Sequence, residues 1–258
     1  MSAPTGLDLF QAAFASYADQ YVLIGGTATH LTMAAAGLAF RNTRDLDIVL
    51  IVEALTPEFA RAFWAFIGAG AYGSMEKGGE ARQFYRFTKP ATSGYPAMLE
   101  LFSRVPDGLQ FEPGGQLTPI PFGDEAESLS AILLDDHYYH LIREGARQQD
   151  GLAWVDEQVL IPLKARAWLD LRQRKAAGPG VDEKTVRKHL NDVLRLTRVL
   201  TEESRVTLPP SIHADLMTFI GAARQEVVDL KSLGFRAGTS LDNIVDQLIQ
   251  AFPIQRPA

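Results

Sequence analysis

The chain has 258 residues, 47% apolar and 22% charged, enough for one large domain or two moderate ones of ordinary globular composition. It has no cysteine, which excludes disulfide frameworks, thiolate metal sites and a thiol nucleophile. A net charge of −6 argues against a generally adhesive nucleic-acid binder, and no stretch approaches the ~18 apolar residues of a membrane span.

Taken in chain order, Leu7, Phe10, Ala13, Phe14 and Tyr17 recur at helical spacing and predict an opening helix over 7–18. The start, Met1-Ser2-Ala3-Pro4-Thr5-Gly6, lacks the basic and apolar regions of a signal peptide, so a cytoplasmic location is expected. Tyr21 to Ile24 reads as a buried strand ended by Gly25-Gly26. An Ala-rich helix is expected over 27–38, closed by Gly37, and a second buried strand over 46–52. Thr56-Pro57-Glu58 is a helix start, with Thr56 as N-cap and Pro57 at the first helical position. That helix is expected to run to about Ile67 and stop at Gly68-Ala69-Gly70. A glycine-rich hairpin region follows, then alternating strand patterns at 83–87 and 97–102. The prolines within 117–122 restrict that run to an edge strand. Beyond about Asp124 the pattern is helical, with helices expected near 125–133, 136–147, 157–175, 183–200, 210–230 and 240–251. The expected architecture is α+β: a mixed-sheet catalytic half over 1–123 and a helical half over 124–258.

Four groups of residues are candidates for chemistry. Gly25-Gly26-Thr27 joins a strand to a helix; glycines let a backbone approach a phosphate, and the first amides of a helix attract an anion. The Thr27 hydroxyl is placed to donate to a phosphate oxygen, although a Gly-Gly pair before a helix is commonly only a tight turn. The run matches neither a Walker loop nor a Rossmann fingerprint. Asp45 and Asp47, alternating at the start of the second strand, point to one face roughly 6–7 Å apart. Such a pair is suited to Mg²⁺ or Mn²⁺, completed by substrate phosphate oxygens. Arg41 and Arg44 flank them and either pair with the acids or touch a triphosphate.

Glu100 is a lone acid in an apolar strand, costly to bury without a partner. If its strand lies beside that of Asp45 and Asp47, it completes a three-carboxylate site as metal ligand or proton acceptor; on an edge strand it would simply face solvent. Lys164 shares an apolar helical stripe with Leu160, Ala167 and Leu171, and either snorkels or reaches a phosphate. Lys188 and Asp192 are one turn apart, compatible with a plain ion pair or with a ligand contact. The five histidines show no HExxH-type spacing, and His189 alone sits near other candidates. Between Leu160 and Leu200 ten Lys/Arg stand against four acids, net +6, which leaves −12 for the rest. That basic segment either brackets a polyphosphate or is a solvated helix pair.

Gly25-Gly26-Thr27-Ala28, Arg41-x-Thr43-x-Asp45-Leu46-Asp47 and the later strand acid together resemble the DNA polymerase β-type nucleotidyltransferase superfamily. The stretches 160–171 and 188–196 are similar to the AbiEii/AbiGii-type toxin nucleotidyltransferases. The resemblance implies a nucleotidyltransferase-fold α+β domain carrying a helical bundle, with NTP and Mg²⁺ held in the cleft. It implies Asp45, Asp47 and Glu100 as catalytic metal ligands. Gly25, Gly26, Thr27, Arg44, Lys164, Lys188 and Asp192 would be nucleotide-binding. It further implies an RNA (tRNA among them) or protein acceptor and a type IV toxin–antitoxin or phage-defence setting with a cognate antitoxin. The alternative is a nucleotide-binding regulatory protein with a degenerate site.

Overall fold

The computed structural model describes residues 4–41, 43–78, 84–103, 118–119, 132–133, 135–178 and 180–253. The chain divides into two compact units, Met1–Gly123 with Tyr139–Asp156 and Asp124–Tyr138 with Glu157–Ala258. Among the described residues no helix is long and apolar enough to cross a membrane.

The first unit is built on an eight-stranded mixed sheet: β1 (Tyr21–Ile24), β2 (Asp45–Leu50), β3 (Tyr72–Gly78), β4 (Phe84–Pro90), β5 (Met98–Phe102), β6 (Thr118–Pro119), β7 (Ala146–Gln149) and β8 (Leu152–Val155). Their order is β6-β3-β4-β5-β2-β1-β8-β7. Central β2 runs antiparallel to β1 and parallel to β5. The proline-bearing β6 lies at one edge of the sheet, the place a strand containing proline tolerates.

Residues on alternate positions of the central strands separate core from chemistry. Tyr21 and Leu23 on β1, Leu46, Ile48 and Leu50 on β2, Tyr85 and Phe87 on β4, and Leu99 and Leu101 on β5 belong to one apolar core. Helices α1 (Leu7–Phe14) and α3 (Pro57–Gly70) supply Phe10, Phe14, Phe59, Phe63 and Phe66 to that core. Because strand side chains alternate, Asp45, Asp47, Arg86 and Glu100 project from the opposite face. Thr56 caps α3 by accepting from the Phe59 amide at 3.2 Å. The helix carries through the expected glycine stop to Gly70, and Ala71 ends it in the left-handed region.

Helix α2 (Gly25–Ala35) starts two residues earlier than the sequence suggests, at the glycine pair itself. Helix α4 (Asp136–Glu144) is shorter than the expected 136–147 segment, because the chain turns into a β7–β8 hairpin. That hairpin lies in the half expected to be helical, overlapping the end of the 136–147 segment and otherwise filling the gap before the next expected helix. β8 pairs in parallel with β1, Leu23 opposite Trp154. The helix expected near 125–133 falls outside the described residues apart from Ile132 and Leu133.

The second unit is helical: α5 (Glu157–Ala177), α6 (Glu183–Thr197), α7 (Pro210–Ala223) and α8 (Leu241–Ala251). Asp182 caps α6, and a Ser240–Asn243 capping box opens α8. Trp168 packs edge-on to Phe219, ring centres 5.2 Å apart, joining α5 to α7.

Candidate active site

Gly25 is the hinge on which the sheet-face site turns. Its φ is +62°, and a Cβ there would overlap Asp47 Oδ2 and lie 2.7 Å from Asp47 Cγ. Only glycine fits between β1 and the Asp47 carboxylate. The register sets Ile24 opposite Asp47, so the first turn of α2 meets this side chain directly. The Gly26 amide donates to Asp47 Oδ2 at 3.3 Å, and Asp47 serves as an N-terminal cap delivered from a neighbouring strand. At the Gly25-Gly26 turn, where a phosphate was expected, the group that the Gly26 amide meets is the Asp47 carboxylate.

Thr27 behaves differently from expectation. Its hydroxyl is fully buried and donates to the Asp45 carbonyl at 2.9 Å. A hydroxyl has one proton to give, so in this arrangement Thr27 ties α2 to β2 rather than donating to a phosphate. Thr29 likewise donates to the Gly25 carbonyl at 2.7 Å, bracing the turn.

Glu100 stands beside the acid pair. β5 lies parallel to β2 with Asp47 opposite Glu100, and β4 places Arg86 opposite Glu100 on the other side. Arg86 donates from Nε at 2.8 Å and Nη2 at 2.5 Å to the same oxygen, Oε1. Sequence reading missed Arg86. The signal was present, since a lone charge in the run Phe84-Tyr85-Arg86-Phe87 is as conspicuous as Glu100 in its own strand.

Glu100 is 8% exposed. Burial first, then repulsion from Asp47, pushes its carboxyl up to about 8 against the opposing pull of Arg86. A raised carboxyl holds its proton more tightly in the folded chain than in the unfolded one. The resulting stability is fully present below the unfolded value of about 4.5 and is lost as pH rises through about 8. In chelator, raising pH from 5 to 9 should therefore lower unfolding free energy by on the order of a few kcal/mol through this group. Urea titrations of the metal-free chain and of Glu100→Gln check this; equal pH slopes in the two would refute it.

Among the described residues no group of three or more His, Cys, Asp or Glu side chains is arranged around one metal position. Asp47 and Glu100 come together, while Asp45 is one pleat away and its β5 partner is Met98. Two adjoining carboxylates that repel each other still fit Mg²⁺ or Mn²⁺. Such ions take one or two protein acids and complete the shell with water and phosphate oxygens. Arg44 is exposed at the approach to β2, and Arg41 lies over the Phe40 ring at 5.2 Å.

The remaining sequence candidates lie in the helical unit. Lys164 Nζ donates to Asp192 Oδ2 at 3.0 Å, with the two side chains 6% and 0% exposed. Arg195 approaches the other Asp192 oxygen at 3.4 Å. Asp192 is therefore held from α5 as well as from its own helix. Lys188 is half-buried and His189 buried on α6.

No protein-family model matches the chain, and no curated protein matches it. Among solved structures it is similar to an antigenic nucleotidyltransferase-like protein from Paracoccidioides brasiliensis, at 15% identity and a TM-score of 0.43. The likeness covers 90% of this chain and 94% of that one.

Proposed function

We propose that the chain is a metal-dependent nucleotidyltransferase that moves a nucleoside monophosphate from an NTP to an RNA or protein acceptor. The observation carrying this reading is the junction of three strands at one point: a glycine turn seated on Asp47, whose parallel neighbour is the buried acid Glu100. A helix N-terminus and paired carboxylates at strand positions are what phosphoryl chemistry requires, since it is mostly positioning and charge stabilisation.

In the reaction the acceptor hydroxyl oxygen forms a bond to the α-phosphorus, the α–β P–O bond breaks, and pyrophosphate leaves with the electron pair. A divalent cation held by Asp45 and Asp47 would neutralise the triphosphate and ease deprotonation of the hydroxyl. Glu100, beside Asp47, is the group suited to take that proton once a bound cation favours its ionised form over the proton it holds up to about pH 8 without one. Gly25 and Gly26 offer close backbone approach to phosphate, and Arg44 adds positive charge at the rim. The toxin role and an antitoxin partner rest on the resemblance of 160–171 and 188–196, and induced expression that leaves growth unchanged would count against them.

The test is incubation with each α-labelled NTP, Mg²⁺ and total cellular RNA or protein. Transfer of label to one fraction is expected, and Asp45→Ala/Asp47→Ala should reduce it at least about 100-fold. A double variant that still labels overturns the reading. The Arg86–Glu100 pair favours one alternative, a nucleotide-binding regulatory protein in which Glu100 is a structural acid. That alternative predicts NTP binding with no label transferred.

A further inference from the structure

A cavity of about 320 Å³ opens in the helical unit between α5 and α6, floored by Trp168 and Leu190 and rimmed by Arg172, Lys175 and Arg187. It shares no residue with the sheet-face site. Its size is at the lower end of the range that takes small ligands.

Two of its cations are oriented by contacts other than carboxylates. The Arg172 guanidinium stacks over Trp168, 4.9 Å from the ring centre. Arg187 Nη1 donates to the Val227 carbonyl at 3.2 Å. The acids at the rim hold them loosely. Glu226 is 3.6 Å from Arg172, and Glu183 is 3.9 Å from Arg187 while also pairing with Lys175. The Glu183 side chain is 56% exposed, and exposed pairs of this kind contribute little and are easily exchanged.

We propose that this cavity binds a phosphate group of a nucleotide, free or within an RNA strand, with Glu183 and Glu226 as displaceable placeholders. Forked guanidinium donors match phosphate oxygens better than a lone ammonium does, and two preoriented arginines beside a lysine can neutralise a dianion. An apolar floor beside a cationic rim suits a nucleotide, whose base and phosphate make the same pairing. The proposal stands apart from the transferase reading and survives its failure.

The experiment uses the full chain in chelator, so that cation-dependent binding at the sheet face is suppressed. Probes are inorganic phosphate and AMP by calorimetry, and a fluorescent ten-nucleotide oligouridylate by anisotropy. The Arg172→Gln/Arg187→Gln chain should lose at least about tenfold in affinity, and Glu183→Gln should gain about threefold. Lys175→Gln, outside the tryptophan stack, should lose several-fold and serves if the double variant does not fold. AMP binding identifies a free nucleotide as occupant; oligonucleotide binding with AMP silent identifies an RNA strand. The proposal falls if neither AMP nor oligonucleotide binds, or if binding is indifferent to these substitutions.

Discussion

Replacing Gly25 by alanine should destabilise the chain by about 2–4 kcal/mol and abolish the proposed nucleotide transfer with it. Two costs combine. A non-glycine residue in the left-handed region costs about 1–2 kcal/mol. The new methyl would also overlap the Asp47 carboxylate, and Asp47 Cγ and Cβ lie within 3.0 Å as well, so a side-chain swing alone cannot clear it. Asp47 would have to release the Gly26 amide and leave a helix N-terminus uncapped, which adds about 1 kcal/mol. Urea unfolding read alongside labelling checks this, and a loss below about 0.5 kcal/mol would refute the geometry. Gly26→Ala is the control. A Cβ there meets Thr43 Oγ1 at 3.0 Å without a positive φ, so a smaller loss is expected.

The Lys164–Asp192 pair supports the second large effect. Asp192→Ala would leave a buried ammonium facing a cavity, and breaking a buried pair in this way costs about 3–5 kcal/mol. Replacing both partners, as Lys164→Met/Asp192→Leu, should restore stability to within about 2 kcal/mol of the parent, because neither charge then needs compensation. Arg195, only 3.4 Å from Asp192, turns outward in the double variant since its side chain is partly exposed. NTP affinity in that variant should change by less than about threefold, as expected of a lysine buried against Asp192 inside the helical unit. Denaturant titration and NTP binding on the three chains decide the matter. A stable double variant with tenfold weaker NTP binding would instead return Lys164 to the nucleotide.

The central strands and their acids were legible because each signal was local: an apolar run, a glycine pair, an alternating Asp-x-Asp, a lone glutamate. What could not be read was which local signal would prevail over the next. Thr27 reads as a phosphate ligand until the Asp45 carbonyl is seen to lie within its reach, and that carbonyl is 18 residues away. Arg86 was passed over although it obeys the same rule that singled out Glu100. The β7–β8 hairpin carried its own mark, Asp150-Gly151, with both residues at positive φ as a two-residue turn demands. It was lost among helical neighbours because four-residue strands are too short for periodicity to separate from helix. The Lys164–Asp192 contact spans 28 residues and two helices, a pairing that spacing within either helix does not encode.

The placement of β8 against β1 has a consequence for synthesis. Leu23 and Trp154 are 131 residues apart, so at about 5–20 residues per second β1 waits roughly 7–26 s on the ribosome before its partner exists. Through that interval its outer backbone edge is an unpaired template, the kind of surface that recruits foreign strands. Chain crossings at 123/124, 138/139 and 156/157 mean that the helical unit begins to emerge before the sheet can close. A fragment cut after residue 123 would carry the open edge permanently, and aggregation rather than an isolated sheet unit is its expected fate.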